Sequence, residues 1–322
     1  MRSINYALAG FLSIAALIAS TGSQSQGLPR QVSFVVPFAA GGSTDALARL
    51  AGARLTAQTG AVVIVENRPG AGGYTGAEYV ARAPADGSIL LVSALESLYS
   101  DIFTKNLALR PVQSLVPIVG IGHSPHIIVA PATLPIKNMK EFITHVKANP
   151  GKYNAGVVTN NAVMLEALLF LKQNGLELQP IPYNGGLAAI TGMLRGEIHF
   201  YMGSVSVTKA HIDAGKILAL GIAGSERFPL VPQVPTNLEQ GIDFEGGAYY
   251  GLAGPLKLPA AVIAQLNKML VASPDNTANR EALAKIGYLP TPPVTPEALM
   301  DRMQKQHKHF LDAAAAAGVQ PQ

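Results

Sequence analysis

The sequence predicts an α/β protein of two lobes, each a mainly parallel sheet flanked by helices, with the chain crossing twice between them. Three observations carry this. Short apolar, β-rich runs alternate with helix-length stretches from about residue 31; the alternation breaks at a long run over residues 117–131 and then resumes; and three helical stretches follow the last strand. The chain has 322 residues, 48% of them hydrophobic, which is enough for two ordinary cores.

Residues 1–26 have the layout of a secretory signal peptide. Arg2 opens a short basic region, Tyr6 to Ala19 is uncharged and mostly apolar, and small residues follow from Ser20. The apolar run is shorter than the ~20 residues that span a bilayer, so cleavage is expected rather than anchoring. The mature protein then works outside the cytoplasm.

Val32 to Val36 reads as a buried strand, entering the turn Pro37-Phe38-Ala39-Ala40-Gly41-Gly42 and then a helix from Thr44 to Gln58 that Gly60 ends. Ala61 to Val65, Thr75 to Ala83 and Ile89 to Val92 continue as strand, helix and strand. Two right-handed units give the strand order two, one, three, or else continue in one direction; in the first of these the carboxyl ends of strands one and three are neighbours at a topological switch point. Two loops then share one crevice, Ala40 to Thr44 and Ser93 to Ser97. A helix start of this kind offers N–H groups to an anion without any Lys or Arg. By itself the turn is equally compatible with phosphate, nucleotide or an ordinary βα connection.

Residues 117–131 look too long for one compact strand, and Gly and Pro near the middle read as breaks, so the run suits a crossing between lobes. A second alternation follows: a helix at 139–148, strands at 153–158, 178–183, 198–202 and 217–223, and helices at 162–174, 187–194 and 207–214. After the proline-rich stretch Phe228 to Pro235 comes a strand, Tyr249 to Pro255, and helices at 260–272, 280–286 and 296–316. With no sheet of their own, these helices pack back on the first lobe. Lobe 1 is thus expected over residues 27–124 plus 247–322 and lobe 2 over 125–246, with the crossings near Ser124 and Ala248 acting as a hinge.

The chemistry is notable for what it lacks. There is no cysteine, which excludes thiol catalysis, iron–sulfur clusters and thiolate zinc. A net charge of +4 without any Lys/Arg cluster argues against nucleic acid. The seven histidines form no zinc signature, and neither a Gly-x-Ser-x-Gly elbow nor a phosphate-binding P-loop is present. No metal and no cofactor is expected. Gly70 to Gly76 imitates a dinucleotide fingerprint, but it follows the second strand behind an Arg-Pro turn and reads as a flexible turn. In lobe 2, Thr159-Asn160-Asn161, Tyr183-Asn184-Gly185-Gly186 and Gly203-Ser204 each lie where a strand gives way to a helix. Each suits helix capping or ligand contact alike.

Several segments resemble the Bug family, the periplasmic substrate-binding proteins of tripartite tricarboxylate transporters. They are Val35-Val36-Pro37-Phe38-Ala39-Ala40-Gly41-Gly42-Ser43-Thr44-Asp45, Val65-Glu66-Asn67-Arg68-Pro69-Gly70-Ala71-Gly72-Gly73, Pro84-Ala85-Asp86-Gly87, Val234-Pro235-Thr236, Ala214 to Leu220 and Tyr249 to Pro255. The resemblance implies a type II periplasmic-binding (Venus flytrap) fold, a small carboxylate ligand, membrane transporter subunits as partners, and a monomer. It also implies that the ligand carboxylate is held by Gly41 to Asp45 and Ala94 to Ser97.

The binding residues expected are Phe38, Gly41, Gly42, Ser43, Thr44, Ala94, Leu95, Ser97, Thr159, Asn160, Asn161, Tyr183, Asn184, Gly203 and Ser204. Asp45 would repel an anion and is assigned a structural role, its side chain turned back to the helix N-terminus.

Departures from the family pattern bear on substrate. The usual Tyr-Lys-Gly is Tyr183-Asn184-Gly185, the Gly/Ser-rich turn ending in His is Thr159 to Met164, and no Asp follows Tyr201-Met202. Without that acid an amino acid ligand is disfavoured. A non-amino mono- or dicarboxylate is expected, and Phe38, Leu95, Tyr201 and Tyr250 leave room for an aromatic diacid such as terephthalate. A ligand sensor feeding a signalling partner, or a hydrolase or transferase on the same sheet, are the alternatives.

Overall fold

A computed structural model describes residues 28–159, 161–271 and 276–321. The expected signal peptide lies outside them. No helix among the described residues is long and apolar enough to cross a membrane.

Strands β1 (Gln31–Val36), β2 (Val62–Asn67) and β3 (Ile89–Ala94) pair in parallel in the order β2-β1-β3. They alternate with helices α1 (Ser43–Thr59) and α2 (Tyr74–Ala81), as two right-handed units require. Helix α1 stops at Gly60, whose φ of 71° is open to a residue without Cβ and lets its N–H reach Thr56 O. After a single turn, α3 (Pro111–Ser114), the chain enters β4 (Leu115–Pro131), one uninterrupted strand of 17 residues. The Gly and Pro positions that read as breaks are taken up by register shifts between Pro117 and Val119 and between Gly120 and Gly122.

Lobe 2 contains β5 (Asn154–Val158), β6 (Gln179–Tyr183), β7 (Phe200–Ser204) and β8 (Ile217–Ala223). Between and before them lie α4 (Met139–Lys147), α5 (Ala162–Gln173), α6 (Gly186–Leu194) and α7 (Val205–Asp213). The return strand β9 (Gly247–Pro255) precedes α8 (Ala260–Leu270), α9 (Thr277–Lys285) and α10 (Pro296–Ala316). In the first half of its length β4 pairs antiparallel with β9, as far as Ser124↔Ala248 and Pro125↔Gly247. From His126 onward it pairs with β7 and β8 instead. One strand thus belongs to both sheets.

Side-chain alternation along the strands explains the layers. Val32, Phe34 and Val36 of β1 enter a core with α1 and α8, whereas Val35 faces another with α2 and α10. In lobe 2, Ile128 and Ala130 meet α4 and α5, and Ile127 and Val129 meet α6 and α7. Covered on both faces, these strands read as continuous apolar runs. The closing helices do return to the first sheet, through Val262, Leu266 and Leu283 on one face and Leu299, Met303 and Phe310 on the other.

Candidate functional site

Between the two sheets lies a cavity of about 740 Å³. Loops at strand ends from both lobes line it, because in parallel units the helix starts gather at the carboxyl edge of the sheet.

The β1–α1 loop contributes Phe38, Gly42, Ser43 and Thr44. Gly41 has a φ of 81°, the conformation that turns the chain, and it stays behind the lining. Gly42 caps α1 without any side-chain hydrogen bond, and its N–H and those of Ser43 and Thr44 have no acceptor among the described residues. They are the free donors of a 17-residue helix whose positive dipole end faces the cavity. Asp45 is turned back, as its structural role requires. Its Oδ2 accepts the Gly41 N–H (3.2 Å) and both oxygens meet Arg49 (3.0 and 3.2 Å). The Arg49 hydrogen bonds outweigh burial and hold the carboxyl below the ordinary carboxylate range. Asn67 Nδ2 bonds to Phe38 O (3.1 Å) and pins the loop.

At the end of β3 the chain tightens into a 3-10 turn, Leu95–Leu98. Ala94 and Ser97 line the cavity, and the Ser97 hydroxyl is fixed by Ser93 Oγ (2.7 Å) and Ala94 O (2.6 Å). Leu95 does not line it. The turn rotates its side chain into the α2/α10 core, where it is 2% exposed. Ala71 and Gly72 of the glycine-rich turn do line it, which sequence reasoning missed. That turn folds over Phe38 and Ser97, with φ of 65° at Gly72 and 107° at Gly73, so the glycine spacing was its only signal.

Lobe 2 presents three further helix starts. Thr159 and Asn161 precede α5, Asn184, Gly185 and Gly186 open α6, and Gly203 and Ser204 open α7. Asn161 Oδ1 accepts the Met164 N–H (3.2 Å), so this side chain caps its helix while lining the cavity. Asn160 lies outside the described residues. Tyr183 is a correction. It ends an edge strand with its hydroxyl donating to Glu197 (3.0 Å), away from the cavity. Tyr201, buried to 3%, lies under Gly186 and Gly203, where a Cβ at either position would collide with its hydroxyl. Tyr250, Tyr99 and Phe103 add aromatic wall.

No Lys or Arg lines the cavity among the described residues, but Glu96, His126 and Glu166 do. All three are buried, at 5% exposure each. His126 Nδ1 lies 2.7 Å from Glu166 Oε2, which also accepts the Gly247 N–H (3.1 Å). Burial by itself would lower the His126 imidazole, but the Glu166 charge and hydrogen bond raise it. Glu96 accepts the Tyr249 N–H on both oxygens (3.3 and 3.2 Å), and burial pushes its carboxyl up to about 7. These residues come from β4, α5 and the turn after β3. Each looks ordinary in sequence, and only the shared strand brings them together. A second cavity, of about 330 Å³, lies behind the crossing strands between His123, Glu166 and Arg302, and none of the expected binding residues lines it.

The model of the tripartite tricarboxylate transporter family receptor matches residues 47–314. Protein BugT of Bordetella pertussis is 30% identical over 288 residues, covering 86% of this chain and 87% of BugT. Among solved structures, an adipate complex from R. palustris superposes with a TM-score of 0.78 at 26% identity, covering 91% of this chain and 98% of that one. The malate complex of MatC from Rhodopseudomonas palustris gives 0.72 at 30% identity, covering 88% and 98%.

Proposed function

Because the chain belongs to the tripartite tricarboxylate transporter receptor family, whose members are periplasmic solute-binding proteins and not enzymes, we propose that it captures a non-amino mono- or dicarboxylate between its lobes. It delivers that ligand, as a monomer released from its signal peptide, to the membrane subunits of a tripartite transporter. The observation that carries this reading is the convergence of four helix starts (α1, α5, α6 and α7) on a cavity without a lining cation. N–H dipoles and neutral hydroxyls hold an anion without a buried cation to desolvate, which also permits release. The adipate and malate bound by two relatives support a dicarboxylate.

We assign contact to Phe38, Gly42, Ser43, Thr44, Ala94, Ser97, Thr159, Asn161, Asn184, Gly203 and Ser204. Phe38, Tyr201 and Tyr250, in a cavity of about 740 Å³, favour a ligand as large as an aromatic diacid such as terephthalate. We place the lobe boundaries at 124/125 and 246/247. The change of pairing partner along β4 between Pro125 and His126 supports that placement. The test is a thermal-shift screen of the mature protein against aliphatic and aromatic mono- and dicarboxylates, amino acids and sugars. A ligand at 100 times its Kd stabilises by about 2.7 kcal/mol. If only amino acids or sugars raise the midpoint, the reading is wrong.

A further inference from the structure

The cavity poses an electrostatic problem. Its floor carries two carboxyl groups, Glu96 from lobe 1 and Glu166 from lobe 2, on either side of His126 on the shared strand, and no Lys or Arg lines it among the described residues. Glu166 is compensated by His126 at 2.7 Å. Glu96 has no ion-pair partner among the described residues; it meets the backbone N–H groups of Tyr249 and of Glu96 itself and lies 5% exposed. A buried carboxylate without a cation is strongly disfavoured, and a ligand anion beside it would disfavour it further.

Resting on the carboxylate reading, we propose that Glu96 is a specificity-determining residue that acts as the neutral acid. Its hydroxyl is offered to the cavity as a donor for the ligand carboxylate, and a dianionic ligand binds together with one proton. The surrounding groups agree. His126 of β4 and Glu166 of α5 form a compensated pair, Tyr250 of β9 and Tyr99 of the same loop are buried phenols that stay protonated, and Arg302 of α10 is exposed and stacks on the Tyr249 ring, 3.4 Å from its centroid. His123 of β4 is kept neutral by burial. Apart from His126, no charge close to Glu96 favours its ionised form, and that charge is matched by Glu166. Burial pushes the free carboxyl up to about 7, and a bound anion raises it further, so the proton is taken up from neutral pH upward.

The experiment is calorimetric titration of the full mature protein, wild type and Glu96→Gln, with adipate, malate and terephthalate from about pH 5.5 to about pH 8.5 in two buffers of different ionisation enthalpy. Glutamate is the amino-acid control. In wild type the affinity for the bound dicarboxylate is level at acid pH and weakens toward about tenfold per pH unit above neutrality, with close to one proton taken up. Gln cannot titrate, so E96Q loses both the slope and the uptake. Uptake by wild type reads the proton directly, even if E96Q folds poorly. A level wild-type profile, or the same slope in E96Q, overturns the inference and leaves the carboxylate reading intact. Binding of glutamate that weakens on acidification shows Glu96 receiving an ammonium as a carboxylate, and also overturns it. If none of the carboxylates binds wild type at any pH, the carboxylate reading falls and this inference with it.

Discussion

Gly186→Ala tests the geometry of the cavity wall, because its cost should depend on one atom elsewhere. Gly186 is the first residue of α6, and alanine is ordinarily the better helix former, by up to about 1 kcal/mol in an interior and less at a terminus. Here an added Cβ would stand 2.6 Å from the Tyr201 hydroxyl, with the next neighbour, Val207 Cγ2, at 3.2 Å. Tyr201 cannot swing aside, since its ring is buried in the core shared with Val205 and Ile190. Overpacking of this kind costs about 1–3 kcal/mol. At about 2–4 °C per kcal/mol, the melting point of G186A should fall by roughly 2–12 °C. Tyr201→Phe removes the nearest obstruction and leaves only the 3.2 Å approach to Val207, so G186A should cost clearly less in that background. Gly203→Ala is the control. There the ring carbons of Tyr201 obstruct as well as the hydroxyl, and Y201F should not rescue it. Denaturant unfolding of the six proteins, wild type included, gives both cycles. An equal cost of G186A in the wild-type and Y201F backgrounds would refute the placement of Tyr201 beneath the loop.

Two further outcomes follow from buried charges. Asp45→Asn removes the ion pair with Arg49 and weakens the anchor on the Gly41 N–H, so stability should fall by about 1–2 kcal/mol and carboxylate affinity with it, measured by unfolding and calorimetry. Because the folded Asp45 carboxyl lies below its unfolded value of 3.8, its contribution is present above that pH and is lost as pH falls through the folded value, and D45N should lack that acid-limb loss. Burial lowers His123 from 6.5 to about 4. The unfolded chain therefore binds a proton that the folded one does not, and stability should decline as pH falls from 6.5 toward 4. His123→Gln should flatten that decline in urea unfolding across the window.

Much of lobe 1 was legible because βαβ units have one hand. The spacing of Val32–Val36, Ala61–Val65 and Ile89–Val92 narrowed the order to β2-β1-β3 or a run in one direction, and the observed β2-β1-β3 makes neighbours of the Gly42 and Ser97 loops. The misreadings share a physical cause. Sequence shows that a residue lies at a strand end, not which way it points. Leu95 turns into the core because a 3-10 turn rotates by about 120° per residue, and Tyr183 leaves the cavity because side chains alternate along β6. The floor was invisible for another reason. Glu96, His126 and Glu166 are 30 and 40 residues apart and meet only because β4 runs on where Gly and Pro suggested that it ended.

That strand bears on the mechanics of capture. The two connections between the lobes are not independent tethers, because β4 and β9 are hydrogen-bonded to each other through Ser124↔Ala248 and Pro125↔Gly247. Together they form a two-stranded ribbon, so any change in the angle between the lobes has to be taken up by both strands at once. Substitutions along the ribbon, remote from every ligand contact, would shift apparent affinity by the fraction of molecules resting closed.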